Sequence, residues 1–308
     1  MRREMGDVRS APLRDLFVFL LLLIRFKSSA IEVQEYVTTT KSQSFISTLP
    51  SLSETVLDEF ESVYRSGDNQ ILGNVRGSLF GVDIDKDILP LSSLGDAASF
   101  TNDVSEFTYG ELARNSWFFL LQAVHAISGE TFYDLGAGEG RGVALAWASG
   151  LKATGIELLE KRYLASCAAI EKLKNLSLSP PHAKSTMEMH LGNFLKLDWS
   201  DADVVFINSV MCSDETMTAL SNRAKFLKNG TRIVSFKPFK GDDFTTTGKI
   251  SLEVSWSKTD AVVYHVQQKI TASDFLNAAQ ESVPPARSCM LHSKIRNTRD
   301  QCSNQLQC

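Results

Sequence analysis

The stretch from Thr131 to Gly142, TFYDLGAGEGRG, constrains this chain more than any other, because it sets a buried strand directly against a glycine-dense turn. Gly136, Gly138 and Gly140 alternate, and only residues without a Cβ let a backbone turn this sharply and then admit a ligand against it. The apolar run Val143 to Trp147 behind them reads as the start of a helix. The unit expected is strand, nucleotide loop, helix. A glycine-rich surface turn is the alternative, and the strand in front of the glycines argues against it.

The residues downstream repeat the pattern. Lys152 to Glu157 is a second short apolar strand that ends in an acid. It lies about twenty residues beyond the glycines, where nucleotide-binding sheets place the carboxylate that grips ribose hydroxyls. A helix from Leu158 to Asn175 follows, then a loop carrying Pro180 and Pro181, and a third strand, Met187 to Leu191, that closes on Gly192, Asn193 and Phe194. Asp203 to Asn208 is a continuous apolar strand, as expected of one buried on both faces of a parallel sheet. Thr216 to Leu227 reads as a helix capped at Asn229-Gly230, and Thr231 to Pro238 as a fifth strand. Ile250 to Trp256 and Ala261 to Lys269 form a hairpin across a polar turn, before a last helix, Ala272 to Gln280. This order predicts an α/β fold, a seven-stranded Rossmann-like doubly wound sheet with a closing antiparallel hairpin.

Upstream of the glycines, Leu112 to Ile127 is expected to be helical, with an aromatic stripe at Trp117, Phe118 and Phe119 in the core. Residues 31–106 read as a small, mostly helical lead-in, in which Val56, Phe60 and Val63 recur at helical spacing between Ser53 and Tyr64. The carboxylates from Asp83 to Asp87 fit no calcium loop and read as surface. Within residues 1–30, Arg2, Arg3 and Arg14 precede the apolar run Leu16 to Ile24, and small residues follow it up to Ala30. That is the layout of a signal-peptide hydrophobic region; a buried N-terminal helix, or a start methionine set too far upstream, is the alternative. The run is shorter than the roughly 20 residues that cross a bilayer, so membrane contact is expected only if 16–24 is a retained anchor. The organisation expected is thus a hydrophobic leader at 1–30, the lead-in at 31–106, the sheet domain at 107–282 and a loosely ordered tail at 283–308.

Charge and cysteines narrow the partners. The formal charge is −4 and no dense Lys/Arg block is present, so nothing pulls the whole chain toward DNA. Cys167, Cys212, Cys289, Cys302 and Cys308 show no metal-ligand spacing, so no metal is expected. An odd count with isolated cysteines in the body reads as a reduced intracellular protein; an oxidising compartment would instead cross-link the tail.

The acids choose the cofactor. Asp134 before the glycines and Glu157 at the end of the second strand suit S-adenosylmethionine, whose amino group, sulfonium and ribose diol want carboxylate or carbonyl partners. A nicotinamide dinucleotide is the competing ligand, and it favours a longer glycine spacing.

Seven short motifs then stand in one order: Tyr109-Gly110-Glu111, the glycine loop from Asp134, Gly155-Ile156-Glu157, Gly192 to Leu195, Val205 to Asn208, Gly230 to Phe239 (GTRIVSFKPF) and Val254-Ser255-Trp256. In order and spacing the chain resembles the Dot (disruptor of telomeric silencing) histone-lysine methyltransferases, from about Phe107 to Leu276. Members of that family methylate a lysine on the globular core of histone H3 without a SET domain. The resemblance implies that Tyr109 and Glu111 close over the methionine end of the cofactor and that Asp134, Gly136 and Gly138 line it. It implies that Glu157 holds the ribose, while Asn193 and Phe194 hold and flank the adenine. Asn208 would sit where sulfonium and lysine nitrogen meet, with Trp256 and Tyr264 walling the lysine channel. The chain departs from the family in four places: Asn193 stands for Asp, Ser209 for a second Asn, Val210 to Cys212 replace an aromatic-rich stretch, and Val263-Tyr264 replaces paired tyrosines.

The function expected is S-adenosylmethionine-dependent protein-lysine methylation, with histone H3 in the nucleosome as partner and the nucleus as location. The alternatives are a methyltransferase for another protein or a small molecule, in a secretory or organellar setting, and a catalytically silent binding module of the same fold. The sequence leaves methylation state and oligomeric state open.

Overall fold

In β1 (Thr131–Leu135) and β4 (Val204–Ile207) successive apolar side chains point to opposite faces, and both faces are covered. Phe132, Val204 and Phe206 enter one core cluster; Tyr133, Leu135, Val205 and Ile207 enter another. The first cluster holds residues of α1 (Glu54–Arg65), α2 (Arg114–Ala123), α3 (Arg141–Ala148) and α4 (Glu160–Asn175). The second takes Met217, Leu220 and Ala224 of α5 (Asp214–Ala224), which Ser213 caps by accepting from the Thr216 N–H at 3.1 Å. The sheet is therefore sandwiched, as the sequence pattern predicts.

The computed structural model describes residues 49, 53–65, 110–175, 185–255, 257, 261–270 and 283–292, all within one compact unit, Ile46–Cys308. Strands β2 (Lys152–Glu157), β3 (Thr186–Leu191), β5 (Arg232–Ser235), β6 (Phe244–Leu252), β7 (Val262–Lys269) and β8 (Arg287–His292) complete a sheet of order β6-β7-β5-β4-β1-β2-β3-β8. The five central strands, β5 to β3, run parallel, and β7 joins β5 antiparallel. Their carboxyl ends, with Asp134, Glu157 and Ile207, lie along one edge, where an open parallel sheet binds its ligands.

Four expectations need correction. The sheet has eight strands rather than seven, because β8 pairs antiparallel with β3 and buries Cys289 and Leu291. Arg287–His292, within the expected tail, thus form a strand that the polar composition hid. Cys289 is disulfide-bonded to Cys167 of α4, against the expectation of reduced cysteines. Strand β6 is Phe244–Leu252 rather than Ile250 to Trp256; as an edge strand exposed at most positions, with a bulge between Thr246 and Gly248, it carries no apolar alternation to read. Helix α2 is shorter than Leu112 to Ile127, and only Trp117 of its three aromatics is buried. Consecutive residues are about 100° apart on a helix, so Phe118 is half-buried and Phe119 is 51% exposed.

The leader at 1–30 with the run 16–24, the lead-in apart from 49 and 53–65, the Asp83 to Asp87 cluster, Pro180-Pro181, the helix Ala272 to Gln280, Cys302 and Cys308 lie outside the described residues, as do Tyr109 and Trp256. Among the described residues no helix is long and apolar enough to cross a membrane.

Candidate active site

Gly136, Gly138 and Gly140 have φ of +84°, +57° and +78°, so the loop after β1 needs the left-handed backbone that glycine supplies. Glu157, buried at the end of β2, braces that loop. Its Oε2 accepts from the Gly138 N–H at 2.7 Å and its Oε1 from the Leu159 N–H at 2.9 Å. Each oxygen keeps a further lone pair for a ligand hydroxyl.

Asp134 is 4% exposed. Burial holds its carboxyl well above the usual carboxylate range, and the charges of Glu157 and Glu111 push it the same way. Part of that burial comes from α2: a Cβ on Gly142 would stand 2.3 Å from the Trp117 ring and 2.7 Å from Asp134 Oδ2, so ring, carboxylate and helix α3 converge there. Three carboxylates around one glycine loop disfavour an anionic ligand and favour a cationic one. A pyrophosphate would add to the repulsion; an ammonium and a sulfonium would relieve it. The donor set therefore fits S-adenosylmethionine and not a dinucleotide.

The Gly110 to Ala113 segment is sewn to the residues after β6. Leu112 bridges Val254; Glu111 N–H donates to Ser255 Oγ at 3.1 Å and Glu111 C=O accepts from Ser255 N–H at 2.8 Å. The first loop and the Val254-Ser255 motif, 144 residues apart in sequence, thus form one wall.

Asn208, immediately after β4, joins the two halves of the site. Its Nδ2 donates to the Gly110 carbonyl at 3.0 Å and its Oδ1 accepts from the Tyr264 hydroxyl at 3.0 Å. A carbonyl partner can only take a donor, which fixes the orientation of the amide. Tyr264, on β7, is fully buried and packs between Phe206 and Phe236, with ring centroids 5.9 and 6.1 Å away. Burial pushes its hydroxyl well above its ordinary range, so it stays a neutral donor at physiological pH. The exposed neighbour Val263 adds no ring.

Asn193 is buried after β3, where its Oδ1 accepts from the Leu195 N–H at 2.8 Å and closes the turn. An aspartate there could accept the same bond, so the amide keeps the turn closed. Half-buried Phe194 packs on the second core cluster, and its carbonyl accepts from Trp199 Nε1. Ser209 to Cys212, the altered stretch, is strapped down by Lys237. That residue's N–H donates to Ser209 Oγ at 2.8 Å, and its Nζ donates to the Cys212 carbonyl.

The structure thus brings together Glu111, Asp134, Gly136, Gly138 and Glu157 on one side, and Asn208 and Tyr264 on the other; Asn193 and Phe194 follow β3, the strand that pairs with β2. Residues the motifs did not point to also belong here. Trp117 walls Asp134, and Arg141, Tyr64 and Glu61 surround the far end of the glycine loop. No sequence signal links Tyr64 to Gly140, because the contact spans 76 residues.

Comparison with known proteins follows the same direction. The family model described as histone methylation protein DOT1 matches residues 92–269. Curated protein sequences give no match. Among solved structures the chain is similar to an RNA methyltransferase from Salinibacter ruber in complex with S-adenosyl-L-homocysteine, at 19% identity over 53% of this chain and 97% of that one, with a TM-score of 0.39. It is also similar to an S-adenosylmethionine-dependent methyltransferase from Geobacter sulfurreducens in complex with S-adenosyl-L-homocysteine, at 17% identity over 40% of this chain and 48% of that one, with a TM-score of 0.32.

Proposed function

Because this chain belongs to the DOT1 histone methylation family and is a methyltransferase that uses S-adenosylmethionine, we propose that it methylates lysine side chains of histones. The substrate proposed is a core lysine of histone H3 on the nucleosome, and the place of action the nucleus. The observation that carries the reading is the junction at Asn208, where one side chain ties the loop over the anionic pocket to the aromatic wall of β7.

On this reading Glu111, Asp134, Gly136 and Gly138 hold the methionine end of the cofactor, Glu157 takes the ribose hydroxyls, and Asn193 and Phe194 take the adenine. Tyr109 and Trp256, outside the described residues, keep the roles the resemblance implies, Tyr109 at the methionine end of the cofactor and Trp256 at the lysine channel. When bound, S-adenosylmethionine supplies an electrophilic methyl group. The protein's own part is alignment and desolvation. The apolar wall of Tyr264, Phe206 and Phe236 disfavours an ammonium, so an entering lysine loses its proton more readily. Asn208, held at both ends, offers a fixed amide to the incoming nitrogen, and no side chain is assigned as general base.

The test is tritiated methyl transfer to recombinant nucleosomes, free histones and total cell extract, with the labelled residue located by mass spectrometry. Label on a nucleosomal core lysine is the expected result; label confined to small molecules overturns the proposal. The disulfide favours a second reading, action on a non-histone protein or small molecule in an oxidising compartment, because such bonds are rare where thiols are kept reduced. A fluorescent fusion with and without residues 1–30 separates the two, since secretory retention excludes a histone substrate.

A further inference from the structure

We propose that Arg141 is a positioning residue through which helix α1 sets the cofactor affinity of the glycine loop; the inference rests on the methyltransferase reading above. Arg141 opens helix α3 directly behind Gly140. A cation in the first turn of a helix opposes the macrodipole, so its place there is not explained by the stability of α3. Two acids from elsewhere offset it. Arg141 Nη1 lies 3.6 Å from Glu61 Oε2 of α1, and Arg141 Nε lies 3.6 Å from Glu111 Oε2 of the first loop. The three side chains are only 14%, 11% and 13% exposed, so the charges are little screened by solvent. The guanidinium also stacks 5.2 Å over the Tyr64 ring, and the Tyr64 hydroxyl donates to the Gly140 carbonyl at 3.3 Å. Helix α1 thus grips both the last glycine of the loop and the cation behind it. That helix lies outside the span of the family match, 92–269.

One guanidinium divided between two carboxylates leaves each only partly neutralised. With Glu61 and Tyr64 holding Arg141 toward α1, Glu111 keeps enough negative charge to receive the cofactor's ammonium. Remove Glu61, and the guanidinium turns fully to Glu111 and competes with that ammonium. Helix α1 therefore tunes the site without touching the ligand.

The test uses the full chain and S-adenosylhomocysteine in calorimetry, alongside steady-state kinetics. E61Q is expected to weaken binding about fivefold and to raise the cofactor KM by the same factor while kcat holds, a split that general loosening of the fold does not give. In an R141Q background the same Glu61→Gln change is expected to have no effect, since the intermediary is gone. E54Q, on the same helix but facing Arg114 at the surface, serves as control and is expected to bind like wild type. Equal losses from E61Q and E54Q, or an E61Q effect that persists in R141Q, would overturn the inference. If R141Q fails to fold, the E61Q against E54Q contrast decides alone. Wild-type protein that binds no S-adenosylhomocysteine overturns the methyltransferase reading itself, whereas wild-type binding with E61Q unchanged overturns only the role of Arg141.

Discussion

At the scale of single residues, the candidate site gathers carboxylates with little exposure to solvent, Asp134 and Glu157 buried and Glu111 13% exposed. For Asp134 the folded state binds its proton more tightly than the unfolded chain does, because burial and the charges of Glu157 and Glu111 all raise its pKa. Its contribution to stability is therefore lost as pH rises from the ordinary carboxylate range through the folded value, and is restored as pH falls. Asp134→Asn is expected to flatten this stretch of the stability profile in chemical denaturation, and to stabilise the protein at neutral pH. The same substitution is expected to lower S-adenosylhomocysteine affinity about tenfold or more, since an isosteric amide keeps the shape and loses the charge. Glu157→Ala should behave oppositely on stability: the Gly138 and Leu159 N–H groups lose their acceptor, at about 1–3 kcal/mol each, read as a fall in melting temperature. Tyr264→Phe removes only the donor to Asn208, and is expected to cut kcat severalfold with little change in cofactor Kd. Asp134, Glu157 and Asn208 could be singled out as candidates because each stands in a short local motif, whereas Tyr264 came only with the family resemblance. Arg141, Tyr64 and Trp117 could not be singled out, since each acquires its role from a partner far away along the chain.

At the scale of elements, two glycines serve packing rather than turning. A Cβ on Gly142 would strike the Trp117 ring at 2.3 Å, and one on Gly155 would meet Met189 Sδ at 2.4 Å, Val143 at 2.7 Å and Ala137 at 2.8 Å. These contacts bring α3 against α2 and against β2. Gly142→Ala and Gly155→Ala are each expected to cost about 1–3 kcal/mol in urea denaturation. Gly248→Ala, where the added carbon meets nothing within 4 Å, is expected to be nearly neutral. The parallel strands were readable because both of their faces are apolar. Strand β6 was not, because its edge position leaves most of it in water, and β8 was hidden by a polar tail from which, among the described residues, only Cys289 and Leu291 are buried. An α-helical stripe of three adjacent aromatics was over-read, since geometry allows only part of it to face the core.

At the scale of the whole molecule, the fold class and the family were expected from the chain, while the strand order and the covalent topology were not. Nothing in the spacing of Cys167 and Cys289, 122 residues apart, announces that α4 and β8 meet. Reduction, or Cys289→Ser, is expected to lower the melting temperature by an amount equivalent to about 2–4 kcal/mol, and reductant should have no further effect on the variant. The bond also draws a boundary through the candidate site. Asp134, the glycine loop and Glu157 precede Cys167, whereas Asn193, Asn208 and Tyr264 fall between the two cysteines, inside a closed ring of chain. A single protease cut within that ring opens it without releasing either piece. Nicked protein will therefore run as one species on a non-reducing gel and as two after reduction, with the carboxylate half of the site always on the amino-terminal fragment.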